Sequence, residues 1–320
     1  MESLRRIGTS EVFVSPVIMG LWQAGREMWA GIDDAEIRKA IRQAVACGIT
    51  AFDTAEVYGR GHSERMLAAA TAGIRDRVVY LSKVFANHLA YDQVVAACER
   101  SLKNLKTDRI DLYQIHWPAG SFGTRQVPIE ETMRALADLK AQGKIRAVGV
   151  SNFSGAQLAA AARCGRIDSL QPPYSLFWRP AEADAIAAAR ERGMTILAYS
   201  PLAQGILAGR FGEAPRFAAG DHRKSHRLFQ PAVYPAVLAA IDALRPIAAR
   251  RGATLAQLAL AWVIAQPATC AVAGARSAAQ VAENAGAMAL ALTPAERAEI
   301  DAIGRTVADR LDANPVQWDF

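Results

Sequence analysis

Eight times along this chain a short apolar run is followed by a longer segment with helical spacing. The runs are Val17–Trp22, Ile49–Ala55, Val78–Val84, Ile110–His116, Ile145–Ser151, Asp168–Tyr174, Thr195–Pro201 and Thr269–Ala275. Each is bounded by turn residues and too short for a helix, so each reads as a strand. The segment after the first run, DDAEIRKAIRQAVACG, is typical of the helices: Asp33 or Asp34 caps it, Gly48 closes it, and Ile37, Ile41 and Val45 share a face. Strands that alternate with helices pair in parallel through crossover connections. Near-continuous apolar strands suit a sheet covered by helices. Eight such units close a (β/α)8 TIM barrel, a fold of about 250 residues. The chain has 320 residues, and the excess falls at recognisable places. These are an N-terminal β-hairpin (LRRIGTSEVFV), a loop after the fourth strand (PAGSFGTRQVP), a long loop after strand 7 over residues 202–235, and an extra C-terminal helix (TPAERAEIDAIG) with a tail. No linker divides the chain, so residues 1–320 read as a single domain. An open doubly wound sheet would need a glycine-rich phosphate turn after its first strand, and MGLWQAGREMWAG does not spell one.

In such barrels the chemistry lies at the carboxyl ends of the strands. Strand 2 ends in Asp53, with Tyr58 on the turn that follows; strand 3 ends in Lys83 and strand 4 in His116. Ser151 and Asn152 end strand 5, Gln171 lies on strand 6, and Tyr199 and Ser200 end strand 7. Each alone is a helix cap, a rim lysine, a structural histidine or a loop aromatic. Together, a phenol, an ammonium, a carboxylate and an imidazole make chemical sense. The ammonium is expected to lower the phenol's pKa, the carboxylate to hold the ammonium charged, and the imidazole to orient a substrate oxygen. That set is a general acid for the oxyanion formed when a carbonyl is reduced.

The motifs GITAFDTAEVYG, LSK, DLYQIHWP, GKIRAVGVSNFS, QPPYSL, AYSPLAQGILAG and GARSAAQVAENAGA follow one another over nearly the whole length. In this order and spacing the chain resembles the aldo-keto reductase superfamily, and its YSPLAQGILAG and GARS stretches resemble the bacterial general aldo/keto reductase branch. The resemblance implies a catalytic tetrad of Asp53, Tyr58, Lys83 and His116, with Tyr58 the acid–base. It implies an NADP-dependent enzyme of alcohol dehydrogenase type that reduces aldehydes or ketones, or runs the reverse reaction. The cofactor would be NADPH/NADP+, with NADH possible, bound without a Rossmann fold. Ser151, Asn152 and Gln171 would hold the nicotinamide carboxamide and Tyr199 would stack on its ring. Ser200, Leu202, Gln204 and Gly205 would wrap the pyrophosphate, and Arg276, Gln280, Glu283 and Asn284 would hold the adenosine end. Arg276 stands as the one obvious cation for a 2′-phosphate. The family also contains proteins that bind NADPH as regulatory or sensing subunits with little turnover; the intact tetrad favours the enzyme.

Trp22, Phe85 and Trp117 follow strands 1, 3 and 4 and are expected to line the substrate pocket, joined by Trp29 and the long loop. An aromatic, largely uncharged mouth suits a small carbonyl or sugar-like substrate. The tail ANPVQWDF either folds over that mouth or is disordered. The net charge of +6 invites an anionic partner, yet the one dense basic run, DHRKSHR, has no interleaved aromatics, so no nucleic acid is expected. His222 and His226 lie four apart without a third ligand nearby, so no metal is expected. A metal-dependent barrel hydrolase would want an H-x-H after the first strand, and there is none. No window approaches the ~18 apolar residues of a membrane span. The scattered cysteines Cys47, Cys98, Cys164 and Cys270 read as reduced thiols of a cytoplasmic protein. The sequence implies no oligomer.

Overall fold

A computed structural model of the chain describes residues 4–27, 29, 31–218 and 221–317. An antiparallel hairpin of β1 (Arg5–Arg6) and β2 (Phe13–Val14) precedes eight parallel strands. These are β3 (Val17–Gly20), β4 (Ala51–Asp53), β5 (Val79–Val84), β6 (Ile110–Ile115), β7 (Ile145–Ser151), β8 (Ser169–Gln171), β9 (Thr195–Tyr199) and β10 (Thr269–Gly274). They close in sequence order, with β10 hydrogen-bonded to β3. The expected (β/α)8 barrel with its N-terminal hairpin is therefore the observed fold.

The strands are shorter than their apolar runs for local reasons. After Gly20 the chain turns into a 3-10 helix over Trp22–Gly25. After Gln171 two prolines, which have no N–H to give to a ladder, end β8. After Tyr199, Ser200 takes a left-handed φ of 52° ahead of Pro201. Helices α1 (Asp34–Ala46), α2 (His62–Ala70), α3 (Tyr91–Leu105), α4 (Ile129–Ala141), α5 (Gly155–Cys164) and α6 (Ala185–Glu191) follow β3 to β8. Then come α7 (Tyr234–Arg250), α8 (Leu255–Ile264), α9 (Ala278–Gly286) and α10 (Pro294–Ala308). Of the two candidate caps of α1, Asp33 is the one that acts, accepting from the amides of Ala35 and Glu36. Helix α7 has no counterpart in the sequence reading; Pro246 sits inside it and breaks the pattern that would announce it. The extra C-terminal helix is α10, started by a Thr293–Glu296 capping box.

The core has two layers. Outside the sheet, strands and helices share one large apolar cluster. Inside, Ile18, Ala51, Leu81, Leu112, Ala147, Leu197 and Cys270 meet Ile7, Val12 and Val14 of the hairpin region, which fill the amino-terminal end of the barrel. Side chains two apart on a strand share a face. The next inward residues above this apolar layer are therefore Asp53, Lys83, Gln114, Gly149 and Tyr199, one step nearer the carboxyl end. Gly149 is small by necessity: a Cβ there would lie 2.3 Å from Ser169 Oγ and 2.9 Å from Gln114 Cγ. Hydrophobic burial fixes the lower layer, and the two-residue period then lifts a polar layer to the rim. Among the described residues, no helix is long and apolar enough to cross a membrane. All four cysteines are free.

Candidate active site

A cavity of about 550 Å³ opens at the carboxyl ends of the strands. It is lined by Asp53, Tyr58 and His116, and by Ser151, Asn152, Gln171, Tyr199, Ser200, Leu202, Gln204, Gly205, Arg276, Gln280, Glu283 and Asn284. Trp22, Trp29, Phe85 and Trp117 are in the same wall. Every expected site residue except Lys83 thus lines one cavity. Lys83 lies directly beneath it, fully buried.

Lys83 Nζ donates to Asp53 Oδ1 at 2.5 Å and to the Thr54 carbonyl at 2.8 Å. Its ammonium lies 5.1 Å from the centroid of the Tyr58 ring. Tyr58 Oη lies 3.5 Å from His116 Nε2, and the two rings meet edge to face with centroids 5.6 Å apart. The turn bearing Tyr58 is held by backbone contact with the 3-10 turn after β3. A Cβ on Gly25 would come within 2.7 Å of the Tyr58 carbonyl carbon, and one on Gly59 within 2.5 Å of the Gly25 oxygen.

The electrostatics differ from expectation at Tyr58. Burial, and then the Asp53 charge, hold its phenol well above the usual value near 10. The expected lowering by Lys83 does not appear, because the ammonium sits against the ring face and its hydrogen bonds go to Asp53 and Thr54. The Tyr58 phenol consequently stays protonated across the neutral range. Burial likewise pulls the Lys83 pKa down, while the Asp53 charge pulls it back up. Burial, reinforced by the Lys83 charge, drives the His116 imidazole well below its usual 6.5, so it is neutral. His116 Nδ1 is buried without a partner among the described residues, so we place the single ring proton on Nε2, facing Tyr58.

A neutral, half-buried imidazole has a consequence for acid stability. Above pH 6.5 neither the folded nor the unfolded chain protonates this ring, and its contribution is fully present. As the pH falls below 6.5 the unfolded chain takes up a proton that the folded chain refuses, so stability is lost. The slope from this one group is at most about 1.4 kcal/mol per pH unit. His116→Gln should unfold with a correspondingly flatter dependence between pH 6.5 and 5. Urea unfolding of both proteins across that range checks it, and parallel curves would refute the assignment.

Gln114, which sequence reasoning missed, joins expected residues in the polar layer. Asp53 Oδ2 accepts from Gln171 Nε2 at 2.8 Å and from Gln114 Nε2 at 3.3 Å. Gln114 is two residues before His116 and so shares its face; the strand period carried that signal. Tyr199 Oη donates to Asn152 Oδ1 at 2.9 Å, and Asn152 Nδ2 donates to the His116 carbonyl and to Ser151 Oγ, each at 3.0 Å. Arg276 is not the sole cation: Arg210 and Arg223 from the long loop also line the cavity. Both are paired, Arg210 to Glu283 at 3.4 Å and Arg223 to Asp221 at 2.5 Å. Glu27 joins the wall as well, so the mouth is aromatic but not uncharged.

Phe122 extends the aromatic wall from the loop after β6. It stacks on Phe85 with centroids 5.7 Å apart and meets Trp117 edge-on at 5.0 Å. Of the two readings of the tail, a fold over the mouth or disorder, the described residues do not show the first. Trp178 Nε1 donates to the Pro315 carbonyl, the Arg227 amide donates to the Gln317 carbonyl, and no described tail residue lines the cavity. Trp318, Asp319 and Phe320 lie outside the described residues. His226 is buried against Trp178 and Phe229, its Nδ1 accepting from the Leu228 amide; the His222 side chain lies outside the described residues. Among the described residues, no three His, Cys, Asp or Glu side chains are grouped to hold a metal.

Residues 16–305 match the aldo/keto reductase family. Aldo-keto reductase YhdN of Bacillus subtilis is 34% identical over 326 residues, covering 98% of this chain and 96% of that protein. The solved structure of the glycerol dehydrogenase AKR11B4 from Gluconobacter oxydans has a TM-score of 0.87 at 32% identity, over 99% of this chain and 98% of the other. An aldo-keto reductase from Klebsiella pneumoniae, solved in complex with NADPH, has a TM-score of 0.76 at 30% identity, over 100% and 99%.

Proposed function

This chain belongs to the aldo/keto reductase family, and from that premise we propose that it reduces small aldehydes and ketones to alcohols with NADPH, Tyr58 acting as general acid. The observation that carries the reading is the meeting of a protonated phenol, a neutral imidazole and a buried Lys83–Asp53 pair at one cavity.

The cavity wall fits a nicotinamide dinucleotide. Ser151, Asn152 and Gln171 offer hydroxyl and amide groups beside the Tyr199 ring, suited to a carboxamide and a flat heterocycle. Ser200, Ala203, Gln204 and Gly205 have left-handed φ values of 52°, 47°, 58° and 95°, which folds this segment into a tight turn at the cavity wall where a pyrophosphate would lie. Gln23 Oε1, in the same wall, is a buried acceptor without a hydrogen-bond partner among the described residues. Arg276, Gln280, Glu283 and Asn284 would take the adenosine end. When bound, the reduced dinucleotide supplies the hydride.

The protein's own groups do the rest. Tyr58 Oη–H and His116 Nε2–H donate to the substrate carbonyl oxygen and fix its direction. As negative charge gathers on that oxygen, Tyr58 passes its proton to it and the alcohol results. The Lys83 ammonium lies over the ring that carries the phenolate left behind, and its hydrogen bond to Asp53 holds it there. Tyr58 then regains a proton from water. The aromatic wall of Trp22, Phe85, Trp117 and Phe122 excludes water from the substrate side.

The test is a carbonyl panel of aromatic aldehydes, sugars and small dicarbonyls, assayed with NADPH and NADH. Steady oxidation of NADPH by at least one member is expected; tight NADPH binding with no turnover would replace this reading with a sensing role. The Arg276 guanidinium makes no ion pair among the described residues, so it is free to meet a 2′-phosphate. Arg276→Ala should weaken NADPH binding by about 10- to 100-fold, the worth of one charge-assisted contact, and leave NADH within about two-fold. Fluorescence titration of both dinucleotides decides this, and equal losses for the two would refute it.

A further inference from the structure

Glu56 lies in the turn between Asp53 and Tyr58, yet it does not line the cavity. Its side chain is almost fully buried, which is costly for a carboxylate unless it is paired and hydrogen-bonded. It is both. Oε1 accepts from the Phe85 backbone amide at 2.9 Å and from His88 Nδ1 at 2.9 Å, and Oε2 accepts from Arg100 Nη2 at 3.1 Å. The amide of Glu56 itself donates to the Lys83 carbonyl at 3.3 Å. One residue of the Tyr58 turn thus grips the end of β5 on both sides of Val84. The Phe85 held in this way packs its ring against His116 with centroids 5.6 Å apart and stacks on Phe122. A second buried carboxylate, Glu64, lies behind the same strand but is satisfied by Ser82 and Asn104 and does not touch Phe85.

We propose that Glu56 is a positioning residue of the active site, clamping the turn that bears Tyr58 to the Lys83–Phe85 segment so that proton donor, ammonium and substrate wall stay in register. The proposal rests on the reductase reading. Proton transfer needs the donor at hydrogen-bond distance, and displacement by about 1 Å can cost ~10²-fold in rate. The clamp acts on the chemistry and on the substrate side. The residues facing the dinucleotide end are on β7 to β10 and the loops after them, away from Glu56.

The experiment compares Glu56→Ala and Glu56→Gln with the wild type, with kcat expressed per NADPH-binding site titrated. Glu56→Ala should lower kcat by about 10- to 100-fold while the NADPH dissociation constant stays within about two-fold. The Phe85 amide should exchange its hydrogen faster, as read by NMR. Glu56→Gln keeps an oxygen that can accept from the Phe85 amide and should recover kcat to within about three-fold of wild type. If Glu56→Ala does not fold, Glu56→Asp carries the test, because it keeps the charge but falls one methylene short of Phe85 and should show the same loss. Wild-type kcat per site in Glu56→Ala or Glu56→Asp, unchanged exchange at Phe85, or no rescue by Gln would overturn the proposal. A wild type that turns over no carbonyl would instead overturn the reductase reading, and Phe85 exchange would still decide whether the clamp exists.

Discussion

Tyr58→Phe should lower kcat for carbonyl reduction by about 10²- to 10⁴-fold while NADPH binding stays within about two-fold. The substitution removes one oxygen and keeps the ring, so the Lys83 contact with the ring face and the edge contact with His116 both survive. No neighbour takes over the proton. The His116 imidazole is held neutral by burial and the Lys83 charge, and in the proposed mechanism its one proton orients the carbonyl. Lys83 is buried with its donors turned to Asp53 and Thr54. The pH dependence follows from the direction of the Tyr58 shift. On the proposed mechanism the protonated phenol is the active form, and its pKa is raised, so reduction should hold steady from pH 6 to 9 and fall only at higher pH. Single-turnover rates for both proteins across that range check this. Wild-type rates in Tyr58→Phe would identify another donor. A wild-type rate that falls between pH 6 and 9 would show that the phenol is more acidic than its surroundings indicate.

The parts of this protein that follow from a repeating period were legible in the sequence. Alternating strand and helix patterns led to the barrel, and the strand-end rule placed Asp53, Lys83 and His116 on one rim. Tyr58 followed because its turn leaves β4 directly beside them. Legibility failed where geometry depends on contacts between distant segments. Nothing periodic announces that Arg210 and Arg223, far along a loop without regular pattern, return to the cavity wall. Helix α7 was hidden because a proline stands inside it. The sign of the Tyr58 shift was hidden for a finer reason. Residue types show that an ammonium is near, but only coordinates show that it faces the ring while its donors go to Asp53 and Thr54. Gln114 was readable and overlooked: the two-residue period puts it on the His116 face, where it meets Asp53.

Lys83→Met should destabilise the fold by about 3–5 kcal/mol, and adding Asp53→Asn should restore a large part of that loss. Lys83 is fully buried, and Asp53 is nearly as deeply buried. Methionine replaces most of the lysine stem's volume, so packing changes little. What changes is the charge balance. With the ammonium gone, the Asp53 carboxylate keeps only the amide donors of Gln171 and Gln114. A carboxylate left without its counter-charge in such a place either carries a desolvation penalty or takes up a proton. Asp53→Asn removes the charge at its source, so the double variant buries two neutral groups instead of one lone ion. The two sites touch, and their effects should be strongly non-additive. Urea unfolding of the wild type, both single variants and the double variant measures this coupling. Additive losses would mean that the pair is held apart in solution, and the assignment of Asp53 as the partner of Lys83 would fall. The double variant should also stay catalytically impaired, because its restored stability brings back no ammonium against the Tyr58 ring. Stability and activity therefore separate at this one pair, and that separation distinguishes a buried ion pair kept for chemistry from one kept for the fold.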